Sequence, residues 1–145
     1  MRVGRVLFSS GNHFLSGVSL VRAGQPFDVT ELEKKVLVLF FSASWCGSCK
    51  LFTPKLKKLY EGAGDPLEVV WVSRDRSLQD QVKYYDEKLP KQLLNRYEIK
   101  TIPAVRLVNA KGEVVSDAIR GPIEGSEDAE DAKHLVATWK KMVYG

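Results

Sequence analysis

Two cysteines, Cys46 and Cys49, are separated by Gly47 and Ser48 and are the only cysteines among the 145 residues of the sequence. The thiolate of a cysteine attacks disulfides, so two thiols at this spacing can exchange a disulfide between themselves and a substrate. A bridge that closes so short a loop constrains the unfolded chain little, which disfavours a purely structural disulfide. The pair therefore indicates dithiol–disulfide chemistry.

Two other interpretations of the cysteine pair compete with this one. A structural zinc site takes four ligands, but the sequence has no second cysteine pair, and its two histidines, His13 and His134, lie far apart. Two unpaired structural cysteines are the second alternative. A position between a strand and a helix favours redox chemistry over both alternatives, and we expect no metal site.

The elements on either side of the pair place it at the amino end of a helix. Residues 36–41 form a continuous apolar run, which predicts a central strand covered on both faces. The apolar residues that follow recur on one helical face: Phe52, Leu56, Leu59 and Tyr60. Free N–H groups and the dipole at a helix N-terminus stabilise a thiolate. Cys46 would then be the exposed nucleophile, and Cys49, one turn deeper, the resolving thiol.

A proline stands before another predicted strand, far along the sequence. Pro103 follows Ile102 and directly precedes the β-rich run 104–108. A proline is tolerated at a strand start because no ladder donor is required there. We predict that the Ile102–Pro103 bond is cis and faces the cysteines, which leaves the preceding backbone free to pair with an extended substrate segment.

The remaining pattern predicts an α/β fold with a mixed sheet. A second buried strand over 67–73 should be parallel to the first, since a helix joins them. A hairpin of two antiparallel strands is predicted from two β-rich runs, 104–108 and 113–116, which are separated by a turn. Further expected elements are a turn over 23–26 and helices over 77–88, 92–97 and 126–142, the last with Ser126 as its N-cap. We expect one domain over 15–145 after a loosely held segment 1–14.

Composition narrows the class of protein. The residues are 44% hydrophobic and 28% charged, the net charge is +4, and no apolar run approaches the roughly 20 residues of a membrane span. Lysines are spread over several segments without an RNA-binding motif, so we expect neither nucleic acid nor membrane as a partner. Residues 1–27 lack acids, as mitochondrial presequences do, but glycines interrupt them. We expect a cytoplasmic protein, with the nucleus as a second location.

The run from Phe41 to Pro54, with Ser-Ala-Ser-Trp before Cys46 and Lys-x-Phe-Thr-Pro from residue 50, resembles the thioredoxin superfamily and within it the nucleoredoxin and tryparedoxin group. The similarity extends from about residue 15 to 121. It implies a thioredoxin fold, with three α/β/α layers around a mixed sheet, and disulfide reduction. It also implies that Ile102-Pro103 is the family's cis-proline loop.

The same resemblance suggests residues that support substrate binding. They are Trp45, Gly47, Ser48, Ile102, Pro103 and Gly121. Two of them have simpler interpretations, because Trp45 could pack beside the strand end and Gly121 could be an ordinary turn glycine.

The chain also departs from the group's pattern. Gly47-Ser48 stands where two prolines are usual, which frees a backbone N–H and loosens the turn. Phe40 occupies the position of the buried acid of ordinary thioredoxins, so the proton acceptor for Cys49 is unidentified.

Two functions from different classes follow. The first is an enzyme that reduces protein disulfides, such as those of peroxidases, with electrons from an upstream reductase, glutathione or a small dithiol. The second is a redox-dependent binding protein that holds a signalling partner, as members of the nucleoredoxin group do. No nucleotide-binding glycine motif is present, so we expect no cofactor beyond a redox-active Cys46–Cys49 disulfide. The protein is expected to be a monomer or a weak homodimer.

Overall fold

The computed structural model describes residues 13–16, 20–22, 24–73 and 93–145. The predicted helix over 77–88 and residues 1–12 lie outside this described part. Within it, His13 is buried, and the backbone N–H of Phe14 donates to the Ala110 carbonyl at 2.9 Å.

The first strands of the described part form a small hairpin, in which β1 (Leu20–Arg22) and β2 (Gln25–Phe27) pair antiparallel. The predicted turn over 23–26 is therefore too long, since Gln25 and Pro26 already belong to β2. Gly24 supplies the sharp reversal with a φ of +79°, in the left-handed region that glycine adopts without steric cost.

Four further strands form the central sheet in the order β4-β3-β5-β6. Their bounds are β3 Val36–Ser42, β4 Leu67–Ser73, β5 Ala104–Val108 and β6 Val114–Ser116. The pair β3–β4 is parallel, whereas β3–β5 and β5–β6 are antiparallel. The predicted mixed sheet, its parallel pair and its hairpin are confirmed.

All seven residues of β3 are buried, as predicted for the apolar run 36–41, and the strand extends by one residue to Ser42. Alternate side chains of a strand point to opposite faces. Val36, Val38 and Phe40 join one core cluster, and Leu37, Leu39 and Phe41 join the other. The sheet is therefore covered on both faces, and β3 is an interior strand with β4 and β5 as its neighbours.

The helix that follows β3 is α1 (Gly47–Ala63). Phe52, Leu56 and Leu59 are buried, which confirms the predicted inner face. Gly64 ends the helix with a φ of +71°, and its N–H donates to the Tyr60 carbonyl.

Two helices end the chain, α2 (Arg120–Gly125) and α3 (Ala129–Tyr144). The prediction that the last helix starts at Ser126 is wrong. Asp128 caps α3 by accepting the Asp131 N–H at 2.8 Å, and the Asp131 carboxylate accepts the Glu127 N–H at 3.0 Å. This reciprocal pair satisfies the free donors better than one serine hydroxyl, and Ser126 instead closes α2.

Tyr97 links the core cluster that contains Leu37, Leu39 and Phe41 to the β5–β6 turn. Residues 93–96 form the short helical segment predicted there, and the buried Tyr97 hydroxyl donates to the Gly112 carbonyl at 2.6 Å. Burial raises the pKa of Tyr97 above its usual 10.0, against a smaller lowering by Arg96. The folded state thus favours the neutral phenol.

We expect this shift to make the protein lose stability at alkaline pH. Because the folded pKa lies above the unfolded one, the contribution is complete below about pH 10 and is lost as pH rises through the folded value. Tyr97→Phe should cost about 0.5–1.5 kcal/mol near neutral pH through the lost hydrogen bond. It should also flatten the alkaline decline. Urea unfolding of both proteins across this pH range measures the difference, and parallel declines would contradict the prediction.

Candidate redox site

The cysteines lie where β3 leaves the sheet and α1 begins. Cys46 is the N-cap of α1, and its Sγ accepts the Cys49 N–H at 3.1 Å. The two residues are joined as a disulfide, with their Cα atoms 5.2 Å apart. One otherwise unpaired N–H of the first helical turn thus points at the Cys46 sulfur, so the helix terminus favours negative charge on that atom.

Cys46 is less accessible than the sequence predicts, whereas Cys49 is the deeper of the two, as expected. Cys46 is 7% exposed and Cys49 2%. The expectation of an exposed Cys46 is therefore wrong, although Cys46 remains the more accessible of the two. The reason is packing, because Ala43 and Ile102 lie against the disulfide and form a small cluster with it.

Ile102 and Pro103 reach the disulfide from a distant part of the chain. The Ile102–Pro103 peptide bond is cis, as predicted. The carbonyl oxygen of Ile102 lies 3.8 Å from Cys46 Sγ. Antiparallel pairing of β3 with β5 matches Phe41 to Ala104 and so brings the end of β3 beside the start of β5. Sheet topology thus places the two motifs together.

The other predicted binding residues divide into two sets. Trp45 is 65% exposed, Gly47 and Ser48 are exposed, and a Cβ added to Gly47 would meet no atom within 4 Å. These three residues adjoin the disulfide along the chain and are exposed beside it. Gly121 is exposed in the first turn of α2 and shows no contact with the disulfide among the described residues. Its role as a groove glycine stays a prediction.

The surroundings of Cys49 contain groups that the sequence did not single out. A groove of about 960 Å³ between α1 and β4 reaches Cys49 and is also lined by Ser42, Ser73 and Trp71. The Trp71 indole N–H donates to the Ser42 hydroxyl. The signal that could have identified these groups is the pairing of two apolar strands that both end in serine, Ser42 opposite Ser73.

Phe40 occupies the position at which ordinary thioredoxins have a buried acidic residue. It is 5% exposed and packs on Phe52 with ring centroids 5.6 Å apart. The buried carboxylate of β4, Glu68, pairs in register with Leu37, five residues before the end of β3. At about 3.3 Å per residue it lies roughly 16 Å along the strand from Ser42. Glu68 instead bonds to Arg22 and Tyr60, so it is too distant to accept the Cys49 proton.

A second group of charged and polar residues surrounds Glu68 at the opposite end of β4 from Ser73. The pKa of Tyr60 is raised, first by burial and then by the neighbouring Glu68 carboxylate, which also accepts its hydroxyl proton at 3.1 Å. Glu68 holds the guanidinium of Arg22 and thereby fastens β1 to the sheet edge. The cluster has a structural explanation.

Among the described residues, no group of three or more His, Cys, Asp or Glu side chains could hold a metal ion. None of the helices in that part is long and apolar enough to cross a membrane.

The model of a family described as thioredoxin-like matches residues 33–114, which include both cysteines and Pro103. The chain belongs to the thioredoxin-like family. This confirms the predicted fold, and the relatives and solved structures that follow confirm the resemblance to nucleoredoxins and tryparedoxins.

Curated relatives of this thioredoxin-like chain include nucleoredoxins. Nucleoredoxin of Bos taurus is 31% identical over 129 residues, which cover 79% of this chain and 29% of the relative. Probable nucleoredoxin 3 of Arabidopsis thaliana is 35% identical over 111 residues, 64% of this chain and 28% of the relative. The chain thus spans less than a third of these proteins.

Solved structures of its own size are also similar. Tryparedoxin I from Crithidia fasciculata superposes with a TM-score of 0.66 at 26% identity, over 79% of this chain and 92% of that one. Thioredoxin from Wuchereria bancrofti gives 0.62 at 29% identity, over 79% and 90%. A Cys-x-x-Cys pair in such a fold makes the chain a redox-type member of the family.

Proposed function

We propose that the protein is a dithiol–disulfide oxidoreductase that reduces disulfides in other proteins. One observation carries the proposal. Cys46 Sγ lies between the Cys49 N–H at 3.1 Å and the Ile102 carbonyl at 3.8 Å. The first group stabilises a thiolate, and the second belongs to a backbone segment beside the reacting sulfur. The similarity to tryparedoxin and thioredoxin structures supports the same chemistry.

The proposed cycle starts from the Cys46–Cys49 disulfide. An upstream dithiol, or two glutathione molecules, supplies two electrons and two protons and becomes a disulfide, leaving two free thiols, and Cys46 then loses its proton to solvent. The Cys46 thiolate then attacks one sulfur of a substrate disulfide, forms a mixed disulfide and releases the first substrate thiolate, which takes a proton. Cys49, as thiolate, attacks the Cys46 sulfur, restores the disulfide and releases the second substrate thiol.

Burial supports this division of roles. Cys46 is the more accessible sulfur, at 7% exposure against 2% for Cys49, and it adjoins the exposed Trp45. An incoming disulfide therefore meets Cys46 first. Trp45, Gly47 and Ser48 would contact the substrate on one side, and Ile102 and Pro103 on the other.

Among the described residues that line the groove beside Cys49, the one carboxylate is that of Glu68, which is too distant to take the Cys49 proton. Phe40 takes the acid's place, and the groove beside Cys49 is lined by Ser42 and Ser73. We propose that the proton leaves through this groove to solvent. Within the part of the chain that the structure describes, the cysteine pair would then work without a buried general base.

The test is insulin disulfide reduction with dithiothreitol as the electron source. The native chain should accelerate precipitation of the insulin B chain, and Cys46→Ser should return the rate to the uncatalysed value because no nucleophile remains. A matched control is Thr138→Ala, which removes an exposed hydroxyl on α3 and keeps both thiols.

Equal rates for the native chain, Cys46→Ser and buffer would overturn the reductase proposal. The redox-dependent binding of a signalling partner would then replace it. That alternative predicts a complex whose retention depends on the oxidation state of the cysteine pair and not on turnover.

A further inference from the structure

The exposed side of α1 carries an unusual apolar residue next to the disulfide. Leu51 is 76% exposed, and Trp45, on the other side of the cysteines in sequence, is 65% exposed. Leu51 lies one helical turn after Gly47, so both share one helix face. Helical side chains lean toward the N-terminus, and the space above Gly47 is open. Leu51 therefore offers apolar surface close to the reacting sulfurs.

The same helix is strongly basic. Its exposed positions carry four lysines and one acid: Lys50, Lys55, Lys57, Lys58 and Glu61. Its first turn has no acid, and its last turn no base. The helix α3 shows the stabilising arrangement, with Glu130 and Asp131 at its start and Lys141 at its end. Helix stability thus does not explain the lysines of α1.

Only some of these lysines are neutralised by neighbours. Lys55 lies 3.4 Å from Glu124, which also binds Arg120 at 2.9 Å, and Lys57 lies 3.8 Å from Glu61. The pKa of Glu124 is lowered, chiefly by Arg120 and less by Lys55. Within the described residues, Lys50 and Lys58 make no ion pair. They remain available to acidic groups of a partner.

We infer that this outer face of α1, formed by Leu51 and Lys58, selects substrates whose disulfide is flanked by an apolar side chain and by acidic residues. The inference rests on the proposed function and names its substrate class. Along the helix axis, Leu51 lies about 7–8 Å from Cys46 and Lys58 about 18 Å. An extended substrate segment advances about 3.3 Å per residue. The apolar residue would then lie two or three positions from the substrate cysteine, and an acid about five.

The test compares two synthetic disulfide peptides of equal length. Both carry leucine near the cystine, but one has acidic residues, and the other lysines, at the outer positions. A small uncharged disulfide, bis(2-hydroxyethyl) disulfide, serves as the reference substrate. With dithiothreitol as reductant, the native chain should show a kcat/KM roughly five- to tenfold higher for the acidic peptide. High salt should reduce that preference.

Substitutions on the outer face of α1 test whether the preference for the acidic peptide depends on this face. Lys58→Gln should lower the ratio of acidic to basic kcat/KM. Leu51→Gln should lower both peptide values roughly tenfold relative to the small disulfide. Using ratios to the small disulfide cancels any change in the reactivity of Cys46. The matched controls on α3, Lys140→Gln and Met142→Gln, alter an exposed lysine and an exposed apolar residue and should leave every ratio unchanged.

The outcomes separate the two proposals. If the native chain reduces none of the three disulfides, the reductase function itself fails. If it reduces all three with equal kcat/KM for the two peptides, and Leu51→Gln leaves the peptide ratios unchanged, the docking face is refuted while the reductase stands.

Discussion

A Cys49→Ser variant, mixed with insulin or another disulfide protein, is expected to accumulate as a covalent adduct through Cys46. Cys46 Sγ still accepts the backbone N–H of residue 49, so its thiolate can still attack. The adduct persists because the thiol that would release it by intramolecular attack is gone. Intramolecular attack has a very high effective molarity, so turnover should fall roughly a hundredfold or more. Mass spectrometry of the intact protein should show the added mass.

Cys46→Ser is the matched control for this trap. It keeps one thiol, but that thiol is the more deeply buried one, so it should form little adduct. Dithiothreitol should release the adduct of Cys49→Ser and restore the free protein mass. An adduct on Cys46→Ser, together with no adduct on Cys49→Ser, would mean that the two sulfurs have exchanged roles.

Phe41→Ala should be the most destabilising of the single core substitutions proposed here, at about 3–5 kcal/mol of unfolding free energy. Phe41 is fully buried and meets Tyr97 edge-on, with ring centroids 6.0 Å apart. It pairs with Val72 on β4 and with Ala104 on β5. The side chain therefore fills the core at the end of the sheet that carries the redox site. Urea unfolding measures the loss.

Two further variants serve as comparisons for Phe41→Ala. Val114→Ala removes an exposed apolar group from the same sheet and should change stability by less than about 0.5 kcal/mol. Phe41→Leu should cost less than Phe41→Ala because it leaves a smaller cavity. A Phe41→Ala loss no larger than that of Val114→Ala would show that this ring is not part of the packed core.

Where neighbouring residues decide a structure, prediction from sequence succeeds. The seven-residue β3, the inner face of α1 and the β5–β6 hairpin all follow from side-chain periodicity and turn residues within one short window. The start of α3 shows the limit of such reasoning. Ser126 and Asp128 are both good N-caps, and the choice depends on the reciprocal bonds made by Asp131.

Burial at the site could not be predicted in the same way. The position of Cys46 at a helix start follows from local pattern, but its low exposure results from contact with Ile102, 56 residues away in sequence. The link from Trp71 to Ser42 also joins two strands. Such contacts depend on strand order and register, which periodicity does not specify.

The sequence by itself determined the reactive pair, the helix that begins at it, the apolar strand before it and the proline loop that would complete the site. These features depend on residue type and on spacing of a few positions. The tertiary structure decided that the Ile102 carbonyl lies beside Cys46, that Glu68 is too far from Cys49 to take its proton, and that Leu51 and Lys58 stay exposed. The physical reason is that antiparallel pairing of β3 with β5 and parallel pairing with β4 set distances between segments that no local pattern encodes.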